Sequence, residues 1–134
     1  MAKTDIKNYI DSDADITLIT DEIMEDVIRK GADGITPDME KDRAESLFWC
    51  QAEDAWFKHK SMLLLKSLHD AHKEAVDAGV YKFTLAASTY YDGIALRVLL
   101  QWNNIDEPDE IDIRDIETFE DMRKLRSDIK KFAS

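Results

Sequence analysis

Asp11, Asp13, Asp15 and Glu22 occupy positions one, three, five and twelve of the segment DSDADITLITDE, with Leu18 at position eight. Hard oxygen donors in that order are what a calcium-binding loop uses, closed by a bidentate carboxylate at its twelfth residue. Such a loop also needs a sharp left-handed turn at position six, where glycine is the usual occupant. Here position six is Ile16, and a β-branched side chain strongly disfavours that backbone. The preceding KTDIKNYI is short for an incoming helix, and no second loop stands ready to pair with this one. The segment reads better as a capped turn leading into a packed ITLIT, and no metal is expected on it.

His69 and His72 lie three residues apart in HDAHKE, a spacing that puts both on one helical face. Zinc would want one or two further ligands close by, and His59 is about 15 Å away along a continuous helix. Surface histidines explain the pair. Cys50 has no histidine within reach on its own helix and falls in an apolar stripe, so a buried structural thiol is expected rather than a nucleophile. The four glycines are scattered, which excludes a phosphate-cradling loop. WFKHK (56–60) and YKF (81–83) interleave aromatics with lysine, as single-strand binders do. Tyr81 and Phe83 are expected to face the core, however, and the overall charge opposes nucleic acid.

That charge is −11, from 29 acids and 18 bases. Residues 1–54 carry fifteen acids against six bases, and residues 105–117 carry seven against one. In the second block, IDEPDEIDIRDIE, the acids are Asp106, Glu107, Asp109, Glu110, Asp112, Asp115 and Glu117. On an edge strand alternate side chains repeat about every 6.6 Å. That is near the roughly 7 Å between successive phosphates of a nucleic-acid strand. The block is either a solvated edge protected against aggregation or a contact surface for a basic groove.

The elements that must position these residues can be read from pattern. Thr20 caps a helix over about 21–30, with Asp21 and Glu22 in its first turn, Arg29 and Lys30 in its last, and Gly31 as a left-handed stop. Thr36-Pro37 opens the next element, and Asp38 to Ala78 contains neither glycine nor proline. As one helix it would measure about 60 Å, so it either breaks near Phe57–Lys60 or protrudes towards a partner. It carries two apolar stripes. Leu47, Cys50, Phe57, Leu64, Leu65, Leu68, Ala71, Ala75 and Val76 form one; Phe48, Trp49, Ala52, Ala55, Trp56 and Leu63 form the other. A helix apolar on two faces is covered on two faces. A second copy of the chain, meeting Phe48, Trp49 and Trp56, would supply one of those covers.

After Gly79 the period changes from 3.6 to 2. YKFTLAAST and IALRVLLQW form a hairpin across YYDG, with Asp92-Gly93 as the turn signal. EIDIRDI then supplies a third strand, with Ile111 and Ile113 expected inward and Glu110, Asp112 and Arg114 outward. Thr118 caps a last helix whose Phe119, Met122, Leu125, Ile129 and Phe132 share a face.

The expected fold is therefore α+β in a single domain over 1–134: N-terminal helices including a long central helix, a three-stranded antiparallel meander, and a C-terminal helix. One cysteine, no apolar h-region in MAKTDIKNYIDSD and no long apolar run together suggest a cytoplasmic protein that meets no membrane. The expected function is a non-catalytic acidic interaction module. Its partner is a basic protein, of the kind that itself binds nucleic acid, and the acidic face would act as a nucleic-acid mimic and inhibitor. Small acidic proteins of this sort are typical of viral or mobile-element accessory factors. The alternative is an assembly protein that forms a homodimer through its long helix. No cofactor, metal or catalytic residue is expected, and direct nucleic-acid binding is not.

Overall fold

A computed structural model describes residues 6, 9–10, 19–90, 93–104 and 110–134. Its elements run α1 (Asp21–Gly31), α2 (Lys41–Ala78), β1 (Lys82–Tyr90), β2 (Gly93–Gln101), β3 (Ile111–Ile116) and α3 (Phe119–Ala133). The class is α+β, in the order expected. The long segment is one unbroken helix, although it starts at Lys41 rather than Asp38. Thr36-Pro37 opens a turn instead, in which the Met39 N–H donates to the Thr36 carbonyl at 3.2 Å. The chain divides into two compact units, Met1–Lys60 and Ser61–Ser134.

In the first unit Thr20 caps α1, its hydroxyl accepting from the Ile23 N–H at 3.2 Å. Gly31 does not do what was expected of it. It is a buried helical residue, and the helix is capped by Ala32 at an ordinary φ of −82°. The left-handed glycine is Gly34, at φ 75°. What Gly31 provides is room. A methyl group there would stand 2.8 Å from Phe48 Cε2 and 3.1 Å from Ala52 Cβ, so the missing side chain lets α1 and α2 approach closely. Gln51 Nε2 donates to the Asp33 carbonyl at 2.9 Å and holds the connecting loop down. Val27, Ala52, Ala55 and Trp56 are buried here, with Ile6 and Ile10.

In the second unit α2 ends as expected. Gly79 adopts φ 84°, its N–H donates to Val76 and that of Val80 to Ala75, the paired bonds of a Schellman stop. The sheet is antiparallel in the order β1-β2-β3, in the register Leu85↔Val98 and Val98↔Arg114. Register closes at Tyr90↔Gly93, and Tyr91 and Asp92 of the expected turn lie outside the described residues. Leu96, Val98, Leu100 and Ile116 are buried on the inner face. Leu64, Leu68, Ala71 and Ala75 of α2 and Phe119, Met122, Leu125 and Ile129 of α3 are buried in the same unit. Each fully buried side chain of this size stabilises by about 1.5–3 kcal/mol. Ser61, the buried polar residue of α2, accepts from the Ile94 N–H at 3.1 Å.

Thr118 and Asp121 form a capping box at α3: the Asp121 N–H donates to the Thr118 hydroxyl at 3.0 Å and the Thr118 N–H to the Asp121 carboxylate at 3.1 Å.

Strand β3 faces the opposite way from the expectation. Ile111 and Ile113 are 46% and 57% exposed, whereas Asp112 and Arg114 sit on the inner side with Ile116. The register explains it. Inward Leu96, Val98 and Leu100 lie opposite Ile116, Arg114 and Asp112, so burying Ile116 against Leu96 turns the two charged residues inward as well. Tyr81, expected in the core, precedes the strand and is 48% exposed; Phe83 is half-buried.

Candidate functional site

Of the seven acids in 105–117, Asp106, Glu107 and Asp109 lie outside the described residues. Glu110 and Glu117 are exposed. Asp112 accepts from Arg114 Nη2 at 2.8 Å, from Arg114 Nε at 3.2 Å and from Trp102 Nε1 at 3.2 Å. Arg114 Nη1 also stands 2.7 Å from Asp128 of α3, an ion pair whose geometry falls short of a hydrogen bond. The guanidinium lies 5.9 Å from the Trp102 ring centre, and Trp102 packs on Phe132 at 5.4 Å. One arginine thus joins two carboxylates and an indole from β3, α3 and the end of β2. Its hydrogen bonding holds the Asp112 carboxyl below its ordinary range, while Asp112 and Asp128 push the arginine up.

Asp115 is on the other face, where Arg97 Nε and Nη2 reach it at 2.7 and 3.3 Å and lower its pKa. The described acids of β3 therefore do not form a one-sided row. Asp112 and Asp115 face opposite ways and each is held by an arginine. A recess of about 390 Å³ beside them is lined by Asp112, Arg114, Asp115, Ile116, Asp121 and Lys124. Within its lining Arg114 pairs with Asp112, whereas Asp115 is held by Arg97 from outside it and Asp121 accepts from the Glu117 and Thr118 N–H groups.

The N-terminal acidic block is more open. Asp33, Asp38, Glu40, Asp42 and Glu45 are all exposed, in a stretch that contains only Lys41 and Arg43 as bases. They lie on the α1–α2 loop and the first turns of α2. The Asp38 carboxyl is held below its usual value, chiefly by a hydrogen bond from the Thr36 side chain.

Among the possible chemical groups, Asp11, Asp13, Asp15 and Leu18 lie outside the described residues, and Glu22 is an exposed first-turn residue of α1. Cys50 is exposed, not the buried thiol expected, because in this half of α2 it is the other stripe, with Ala52 and Trp56, that turns inward. His69 and His72 are exposed, and the His72 ring rests 5.3 Å from Phe83. Among the described residues no group of three or more His, Cys, Asp or Glu gathers as a metal site. Also among them, no helix is long and apolar enough to cross a membrane.

Sequence reasoning gave no sign of two tertiary ion pairs. His59 Nε2 lies 2.7 Å from Asp26, joining α2 to α1, with Lys30 at 3.2 Å and Arg29 on the same carboxylate. Arg126 of α3 bonds Glu74 and, at 3.1 Å, the Ser67 hydroxyl of α2. The partners are 33 and 52 residues apart, beyond any helical spacing signal.

The aromatics expected to meet a second copy are engaged within the chain. Trp56 is 3% exposed. Phe48 packs on Gly31 and, edge-on, on Trp49 at 5.7 Å, and Trp49 meets Tyr9 at 5.8 Å.

No family model, curated protein or solved structure matches this chain.

Proposed function

We propose that the chain is a non-catalytic acidic interaction module that binds a basic surface on a partner protein, of the kind that ordinarily holds nucleic acid. The observation that carries this reading is the run of exposed carboxylates Asp33, Asp38, Glu40, Asp42 and Glu45 in a chain of net charge −11. Exposed, unburied charge of one sign steers an oppositely charged partner and speeds its association. The second unit has exposed acids of its own in 105–117, Glu110 and Glu117, and Asp106, Glu107 and Asp109 belong to the same proposal. Asp112 and Asp115 contribute less, since Arg114 and Arg97 offset their charge. Occupying a nucleic-acid groove would make the module an inhibitor by charge competition.

The test is affinity capture from the native host at low salt, eluted by a salt gradient, followed by titration of the captured partner at several ionic strengths. Charges screened over about 8–10 Å at ordinary ionic strength should make affinity fall steeply with salt. A flat response overturns the proposal.

A further inference from the structure

The two edges of the sheet are finished differently. Edge strand β3 has six residues, with Asp112 and Arg114 turned inward on it, which are devices that discourage another strand from adding. Edge strand β1 has nine residues, KFTLAASTY, with no proline and a single charge, Lys82. Lys82, Thr84, Ala86, Ala87, Ser88 and Thr89 are all exposed. Antiparallel pairing uses the backbone groups of alternate residues, so every second residue of β1 directs its N–H and C=O away from β2. Among the described residues no strand lies on that side.

We propose that β1 pairs antiparallel with β1 of a second copy of this chain, about a two-fold axis at Ala86, joining two sheets into one of six strands. Three observations select that occupant. The full-length register about Ala86 sets Thr84 opposite Ser88 and Lys82 opposite Tyr90 of the second copy, so no charge faces a like charge. Two molecules of charge −11 repel each other, yet no acid occurs between Asp77 and Asp92, so no carboxylate of one β1 faces a carboxylate of the other. The same lack of acids gives a basic partner nothing to hold here, so this contact is independent of the acidic surface proposed above. Self-pairing of one patch closes as a dimer and leaves no growing end, because β3 is guarded.

Light scattering of the intact protein over a concentration series should show monomer passing to dimer. The double variant Thr84→Lys/Ser88→Lys changes two exposed side chains and sets the new charges opposite each other across the axis. It should weaken the dimer at least tenfold while leaving the circular dichroism unchanged. In a Cys50→Ser background, Ala86→Cys should give an oxidised covalent dimer, since paired residues on the axis lie within disulfide reach. Lys82→Cys, whose counterpart is Tyr90, should not. A protein that stays monomeric at every concentration overturns the proposal. So does a dimer indifferent to Thr84→Lys/Ser88→Lys, equal cross-linking by both cysteine variants, or a monomer that takes only an unrelated extended peptide along β1.

Discussion

Arg114 Nη2 lies 2.8 Å from Asp112 Oδ2, two residues back on the same strand, and the two side chains share the inner face of the sheet. Asp128 completes the arrangement from α3 at 2.7 Å. Replacing Arg114 with Met would keep most of the packing against Trp102 but leave two half-buried carboxylates close together without a cation. Removing one partner of a fully buried pair costs about 3–5 kcal/mol. With side chains 22–30% exposed, water screens part of that, and about 1–3 kcal/mol is expected. Urea denaturation followed by circular dichroism measures it. An Arg114→Met/Asp112→Asn/Asp128→Asn triple variant should recover much of the loss.

The same strand shows how far sequence alone reached. Caps were legible because their chemistry is local. Thr20, Thr118 and Gly79 each act within a few residues of themselves. The face of β3 was not, because IDIRDI is ambiguous by itself: Ile111 and Ile113 share one parity and Ile116 has the other. Pairing with Leu96 decides between them, and that requires the register. Gly31 carries a similar lesson. A glycine at a helix end suggests a left-handed stop, but the constraint here comes from Phe48, seventeen residues on. For the candidate site, the acidic blocks were visible in composition. Which acids stay free was not, since Arg97 reaches Asp115 only across the sheet.

Gly31→Ala offers a test by sign. In an ordinary exposed helix interior, alanine is more stable than glycine by roughly 0.5–1 kcal/mol. Here the new methyl would meet Phe48 Cε2 at 2.8 Å, and overpacking of that kind costs about 1–3 kcal/mol. Destabilisation is therefore expected, and Gly31→Ala/Phe48→Leu should relieve part of it. A stabilised single variant would mean the close approach of α1 and α2 is absent in solution.

Asp26 gives a pH dependence with a definite direction. Its carboxyl is held well below the usual carboxylate range, by His59 first and by Arg29 and Lys30 in addition, against an opposing cost of burial. Below its unfolded pKa of about 3.9 the unfolded chain binds the extra proton first. The stabilisation is thus fully present above that value and is lost as pH falls towards the lower folded pKa. Asp26→Asn should be less stable than the unaltered protein at pH 7, with a difference that shrinks on acidification. Parallel thermal melts between neutral pH and about pH 2 would show it. A difference constant with pH would rule the ion pair out as its source.

The acidic surface can be separated from the fold because its carboxylates are exposed. Glu40, Asp42 and Glu45 sit at the entry to α2, where negative charge favours the helix by about 0.3–1 kcal/mol at most. Glu40→Gln/Asp42→Asn/Glu45→Gln should therefore change the melting temperature little. If these groups meet a basic partner, the same variant should slow association and flatten the dependence of affinity on salt, while dissociation changes less. Kinetic binding at two ionic strengths distinguishes the outcomes. Asp115→Asn should have a smaller effect on association, because Arg97 already offsets that carboxylate in the free protein. An Asp115→Asn effect as large as that of the triple variant would shift the contact from the helix entry to the sheet.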